Sequence, residues 1–295
     1  MTYITGEVKI PNFTIESGFH FDEVTLAYER CGSKEAPVIL VCHSLKENQF
    51  TVGTEEKPGW WKGLIHNGGY VDTNKYQIIT FNVFGGCNGS TGPSIIVSDG
   101  EKYDNRFPKL TVRDLVEIQY IALRILGIDE LKAVIGGSFG GMQVLEWGLM
   151  YPDFMEAIFP IAATHYMRDE AIEFGYVFAE QQENINQNKS LKRFTDSFQI
   201  LLDVMKSHDI SRDRGSLEEA IKLFQAPIFA LGFKKDPICP PNLIKDFVTK
   251  VNEQGGYAEF FEIDTKFGHD GFLVEFDKWG YIIKEKLISL EKIEV

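Results

Sequence analysis

No apolar run in this sequence approaches the roughly 20 residues that a membrane-spanning helix requires, so no membrane partner is expected. The first seven residues, Met1 to Glu7, have neither the basic start nor the apolar stretch of a secretory signal. Basic residues are also in short supply. Thirty Lys and Arg stand against 43 Asp and Glu, for a formal charge of −13, which excludes a phosphate backbone and hence a nucleic-acid partner. There are only four cysteines, Cys31, Cys42, Cys87 and Cys239, and they are widely separated. None forms a C-x-x-C pair or has histidines at ligand spacing, so neither a disulfide framework nor a metal site is expected. Free thiols of this kind suit a reducing, cytoplasmic setting. Internal repeats and low-complexity segments are absent too.

What is present has the texture of a soluble α/β protein. The chain of 295 residues, 44% hydrophobic and 25% charged, suits one large domain or a domain carrying an insertion. Residues 23–29 alternate like a half-buried antiparallel strand. Residues 37–42 and 76–83 are continuous apolar runs, as expected of strands covered on both faces. A helix is predicted from 112 to about 126, capped by Thr111 with Asp114 and closed by Gly127, with Leu115, Ile118, Ile121, Ala122 and Ile125 as its apolar stripe. Strands at 157–162, 227–231 and 258–263 alternate with helices at 242–251 and 277–290. Between 165 and 225 the texture becomes helical and polar, including Glu180 to Asn184, and no strand rhythm is visible. The expected architecture is a doubly wound, mostly parallel sheet built from 1–164 and 226–295, with 165–225 as an inserted helical cap. The paired Trp60 and Trp61 read as core.

Two glycine-rich turns follow strands. The turn after residue 83 (Phe84 to Pro93) lacks the lysine of a Walker loop, and Pro93 blocks an immediate helix, so it reads as a rigid rim to a pocket. The other, Gly136, Gly137, Ser138, Phe139, Gly140, fits the G-x-S-x-G nucleophile elbow between a strand and a helix. Such a sharp turn needs small neighbours at −2 and +2 and leaves the serine at a helix N-terminus, where free amides favour a developing anion. By itself the pattern also suits an ordinary glycine-rich β–α turn.

Partners decide between the two. A serine hydroxyl needs a base, and the base needs an acid to hold its tautomer. In the α/β-hydrolase fold the order along the chain is Ser, then Asp or Glu, then His. Two histidines fall well after Ser138: His208 in the cap region and His269 in a glycine-flanked loop behind the last strand. His165 sits just after a strand, ahead of any suitable acid. His269 is therefore the expected base, and Asp236, just beyond the strand ending at Leu231, is the expected acid. Asp264 is too close in sequence to His269 to be preferred as the acid and is kept only as a candidate for hydrogen-bond support. The oxyanion donors are expected from the amide of Phe139 and from Leu45 or Ser44, in the loop after residue 42.

With these motifs in view, the sequence resembles the homoserine O-acetyltransferase family, a branch of the α/β-hydrolases. The resemblance rests on Cys42-His43-Ser44-Leu45, on Gly59 through Ile65, and on Asn82 through Ser94. It continues through Gly136 to Gln143, Gly232-Phe233 with Asp236, and Gly268 through Leu273. It implies acyl transfer from an acyl-coenzyme A such as acetyl-CoA, used as co-substrate with no bound cofactor, through an ester on Ser138. His269 would be the base, Asp236 its acid, and the amides of Leu45 and Phe139 the oxyanion hole. Asp270 would face the acceptor's amino group. A cytoplasmic role in methionine biosynthesis, on small-molecule substrates, comes with the resemblance.

The cap departs from the family. Members carry a longer cap with an arginine for the homoserine carboxylate; aligned on Phe174, this chain has Gly175 and Ala179 at the family's asparagine and arginine. Neither can replace a guanidinium fork. Arg168 and Arg193 are the alternatives nearby, while 203–214 still looks like the family's end-of-cap segment. Family dimers form through the cap, so a homodimer here would use a shortened one. The leading reading is an O-acyltransferase whose acceptor is open. The alternative is a serine esterase or thioesterase, because a short cap admits water to the acyl-enzyme. A non-catalytic binding protein fits worse, since elbow and partners are all present.

Overall fold

The computed structural model describes residues 2–95, 102–103, 106–171, 173 and 189–291. Eight strands form one sheet in the order β1-β2-β6-β3-β7-β8-β9-β10. They are β1 (Tyr3–Thr14), β2 (His20–Cys31), β3 (Val38–Cys42), β6 (Gln77–Phe81), β7 (Ala133–Gly137), β8 (Ile158–Ile161), β9 (Ile228–Phe233) and β10 (Ala258–Ile263). From β6 to β10 the pairing is parallel, and β1 and β2 are added antiparallel at one edge. The short pair β4 (Ile65–His66) and β5 (Val71–Asp72) stands apart. The helices are α1 (Val112–Ile125), α2 (Phe139–Met150), α3 (Lys189–Lys206), α4 (Leu217–Ile221), α5 (Pro241–Glu253) and α6 (Gly280–Glu291). Among the described residues none of these helices is long and apolar enough to cross a membrane.

The central strands are buried on both faces because each face carries an apolar layer. Along β3, Leu40 packs on the side of α1, α2 and α5, with Leu115, Trp147 and Phe247. Ile39 and Val41 alternate to the other side, where Trp61, Trp279 and Ile283 lie. Trp61 is fully buried and its indole donates to the Phe272 carbonyl at 2.9 Å, so it is core, as expected, and also ties the loop before β4 to the turn after β10.

Two sequence expectations change. The first strand, β1, was not anticipated; it pairs with β2 over its full length and buries only Val8, Ile10 and Phe13. Pro11 is tolerated there because β1 is an edge strand. Helix α1 has the expected Thr111–Asp114 capping box, but its buried stripe includes Gln119 and Leu123, while Ile125 is 52% exposed on the solvent side. Gln119 is kept inside by bonds to the next helix: it donates to Gln143 and accepts from the Trp147 indole.

Between β8 and β9 the described residues form α3, α4 and a bridge between Tyr166 and Asp209, with none of them in a strand of the main sheet. Gly175, Ala179 and the polar run 180–184 lie outside the described residues, as does the side chain of Arg193.

Candidate active site

The sharp turn between β7 and α2 holds Ser138 at φ +56° and ψ −121°, a conformation L-residues rarely adopt. Its amide donates to the Ile161 carbonyl at 2.8 Å and its carbonyl accepts from Met142 at 3.1 Å, so both neighbouring elements fix the strained residue. The flanking glycines are required by backbone, not by flexibility. A Cβ on Gly140 would collide with the Cys42 carbonyl, and one on Gly136 would stand 2.9 Å from that oxygen. The end of β3 and the elbow are therefore packed main chain against main chain.

The 3-10 turn Gly268–Leu273 follows β10 and carries His269 over the elbow. Its Nε2 lies 2.7 Å from Ser138 Oγ, and its Nδ1 lies 2.7 Å from Asp236 Oδ2. Asp236 sits in the turn after β9 with its carboxylate fully buried. Its second oxygen accepts the amides of Ile238 and Cys239, each at 2.8 Å. These bonds hold the carboxylate as an acceptor, which assigns Nδ1–H to the donor role and leaves Nε2 free to take the serine proton. Thus the three residues expected from chain order come together.

The remaining expectations divide. Phe139 is the first residue of α2, so its amide has no carbonyl in a preceding helical turn. Leu45 is half-buried in the loop after β3 and lines the same cavity as Ser138 and His269. Asp270 is exposed at that cavity's wall. Asp264 does not support His269; its carboxylate is exposed and pairs with Lys234 at 3.3 Å. His208 is buried and donates to the Thr164 carbonyl at 3.1 Å, and His165 stacks on Phe247. Arg168 donates to the Pro237 carbonyl and does not line the cavity. The cavity has a volume of about 250 Å³, and its far wall is apolar, with Phe198, Leu202 and Met205 of α3.

One residue of the site was missed. His43 is buried at the end of β3; its Nε2 accepts the Val83 amide at 3.0 Å, so its Nδ1–H donates to the Ser44 carbonyl at 2.8 Å. Burial pushes its pKa down to about 4, so the ring is neutral. It shapes the loop that presents the Leu45 amide. Its place beside Ser44 and Leu45, at the end of a buried strand, was the available signal.

The glycine-rich turn after β6 is tied to the sheet: the Ser90 and Thr91 side chains accept amides of β2, and Gly86, Cys87 and Asn88 wall a small chamber. Ligand atoms of Asp236, Cys239 and His269 lie within 4.8 Å of one another, but their chemistry does not favour a cation. The Asp236 oxygens and His269 Nδ1 are engaged as above, and burial pushes the Cys239 thiol up, keeping it protonated.

Comparison with known proteins agrees with this geometry. Residues 37–203 match the family described as the alpha/beta hydrolase fold. The chain is 34% identical to the homoserine O-acetyltransferase of Moorella thermoacetica, covering 94% of this chain and 93% of that protein. It is 33% identical to the homoserine O-acetyltransferase of Symbiobacterium thermophilum, covering 95% of this chain and 93% of the other. The first alignment spans 349 positions against the 295 residues here, so that relative has segments without a counterpart in this chain. Among solved structures, the homoserine O-acetyltransferase from Staphylococcus aureus superposes with a TM-score of 0.83 at 28% identity, covering 97% of this chain and 95% of that one. Esterase E22 superposes with a TM-score of 0.85 at 20% identity over 97% of this chain and all of its own, a likeness of fold.

Proposed function

Because the chain belongs to the homoserine O-acetyltransferase family of α/β-hydrolase enzymes, we propose that it transfers an acyl group from acyl-CoA to a hydroxyl acceptor through an ester on Ser138. The observation that carries this reading is the relay of two 2.7 Å contacts from Ser138 through His269 to Asp236. His269 Nε2 takes the Ser138 proton as Oγ attacks the thioester carbonyl, and the imidazolium is stabilised by Asp236. The amides of Leu45 and Phe139 receive the oxyanion. The tetrahedral intermediate collapses, the C–S bond breaks, and the CoA sulfur leaves with the proton from His269. The acceptor hydroxyl then repeats the sequence in reverse: His269 takes its proton, its oxygen attacks the acyl carbon, and Ser138 is regenerated. Asp270 at the wall offers its carboxylate to an amino group of the acceptor.

In this reading the insertion at 165–225 is a short cap, the protein works in the cytoplasm on small molecules, and a homodimer, if one forms, uses that shortened cap. A place in methionine biosynthesis goes with homoserine as acceptor. The test is incubation with acetyl-CoA, with and without homoserine. Formation of O-acetylhomoserine that disappears in Ser138→Ala is the expected result. CoA release that ignores homoserine but still requires Ser138 would instead identify a thioesterase. No acyl adduct on Ser138 by intact mass, with thioesters or activated esters, would overturn both.

A further inference from the structure

The cavity of about 250 Å³ at Ser138 has two unlike walls. The charged residues in its lining, Lys46, Glu47 and Asp270, come from the loops after β3 and β10. Helix α3 contributes Phe198, Leu202 and Met205, all buried and none of them charged. Their spacing of i, i+4 and i+7 puts them on one stripe of the helix, and that stripe runs about 10 Å along its axis. Apolar surface also reaches the nucleophile's own base. Phe272 lines the same space, is buried, and packs edge-to-face against the His269 ring with centroids 5.6 Å apart. An acetyl group has a single methyl to set against this surface and cannot span it.

We propose that the α3 stripe is an acyl-chain site, and that the group it selects for Ser138 is a straight aliphatic acyl chain of about six carbons rather than acetyl. The inference rests on the acyl-transfer reading above for the donor, and names the class of acyl group; the chain-length preference itself needs only Ser138 and the cavity. Volume supports it. An apolar protein cavity of about 150 Å³ takes up a six-carbon ring such as benzene. About 250 Å³ therefore holds a six-carbon chain and leaves room beside Ser138 for an attacking hydroxyl. Each further CH₂ buried against Leu202 and Met205 strengthens binding about fourfold until the stripe is covered. Beyond that length the chain has to leave the cavity or displace the helix. The same wall works against a succinyl group, whose carboxylate would meet Phe198, Leu202 and Met205 with no cation among them.

The experiment measures kcat/KM for p-nitrophenyl esters from acetate to dodecanoate. Ser138 attacks the ester carbonyl, p-nitrophenolate leaves, and water then releases the acid and regenerates the serine. From acetate to hexanoate kcat/KM is expected to rise at least about tenfold, and by dodecanoate to fall again. Leu202→Phe shortens the stripe and should lower the hexanoate-to-acetate ratio at least about fivefold, while Leu202→Ala should move the optimum to a longer ester. Because Leu202 is buried, thermal melting accompanies each variant, and Met205→Phe, which should lower the ratio in the same direction, replaces any Leu202 variant that does not fold. A steady fall in kcat/KM from acetate onward, or a ratio unmoved in the folded variants, overturns the proposal. Transfer from acetyl-CoA together with such a fall would sink the acyl-chain site and leave the transferase reading standing. The expected ester series with no acylation of Ser138 by acetyl-CoA or hexanoyl-CoA would do the reverse, so the two are judged separately.

Discussion

Nε2 of His43 accepts the Val83 amide proton at 3.0 Å, joining the exit of β3 to the exit of β6 directly beneath the loop that carries Leu45. Only a neutral ring can accept there. With a folded pKa of about 4 against 6.5 for a free histidine, the unfolded chain binds the proton first as pH falls. The stability from this residue is therefore complete above pH 6.5 and is lost between 6.5 and about 4, at about 1.4 kcal/mol per pH unit. His165 and His208 shift in the same direction, to the same value, also mainly through burial. Thermal unfolding followed against pH should show the decline, and His43→Gln should be less stable at pH 7.5 but lose less on acidification. An unchanged slope in that variant would mean that His43 titrates as a free residue.

Asp236→Asn should lower ester and thioester turnover by about 10⁴-fold while leaving the melting temperature within a few degrees. An asparagine keeps an oxygen for the amides of Ile238 and Cys239, so the turn survives. Its NH₂ then faces His269, which must present a bare Nδ1 and carry its proton on Nε2, where Ser138 needs an acceptor. Steady-state kinetics with calorimetry checks both halves; a loss below about tenfold would remove Asp236 from the relay.

Much of this was legible in the chain for identifiable reasons. Strands β3 and β7 are buried on both faces, so their apolar runs stand out without any need for alternation. Ser138, Asp236 and His269 each follow a strand and keep a fixed order, which singles them out from His208 and Asp264. Strand β1 was hidden because an edge position lets Gly6 and Pro11 dilute its pattern, and only three of its apolar residues are buried. The role of His43 depends on an amide forty residues away, and the buried place of Gln119 depends on Gln143 and Trp147 on the next helix. Such cross-chain bonds leave no periodic trace. The cap arginine question stays with positions 175 and 179, outside the described residues, and with Arg168, whose guanidinium is directed at the Pro237 carbonyl.

Gly140→Ala should abolish most activity although it adds a single methyl. The added carbon meets the Cys42 carbonyl, a backbone atom on a central strand that has nowhere to move. Overpacking of this kind costs about 1–3 kcal/mol, and here the displacement falls on the elbow and on the loop of Leu45 together. The expected result is a folded protein with a lowered melting temperature and at least about 100-fold slower acylation of Ser138 by an activated ester. Wild-type acylation rates in Gly140→Ala would show that the elbow tolerates a shift of β3.

Glu146 and Arg214 connect the nucleophile's helix to the end of the cap segment. Glu146 is on α2 and 2% exposed, and Arg214 bonds both of its carboxylate oxygens, at 2.7 and 3.1 Å. Arg113 of α1 adds a third charge at 3.8 Å. Removing the arginine strands a buried carboxylate, so Arg214→Ala should destabilise the protein by about 3–5 kcal/mol in chemical denaturation. Glu146→Ala should cost a similar amount, because two guanidinium groups then lose their shared partner. Because a buried pair gains little over well-packed apolar groups, the double variant Glu146→Leu with Arg214→Met should recover most of the loss. Additive losses in the double variant would mean that the two residues act independently. A second measurement, the partition of the acyl group between acceptor and water, bears on the proposed acyl transfer: Arg214→Ala frees the 203–214 segment from α2, so on that proposal transfer should fall relative to hydrolysis as water gains access to Ser138.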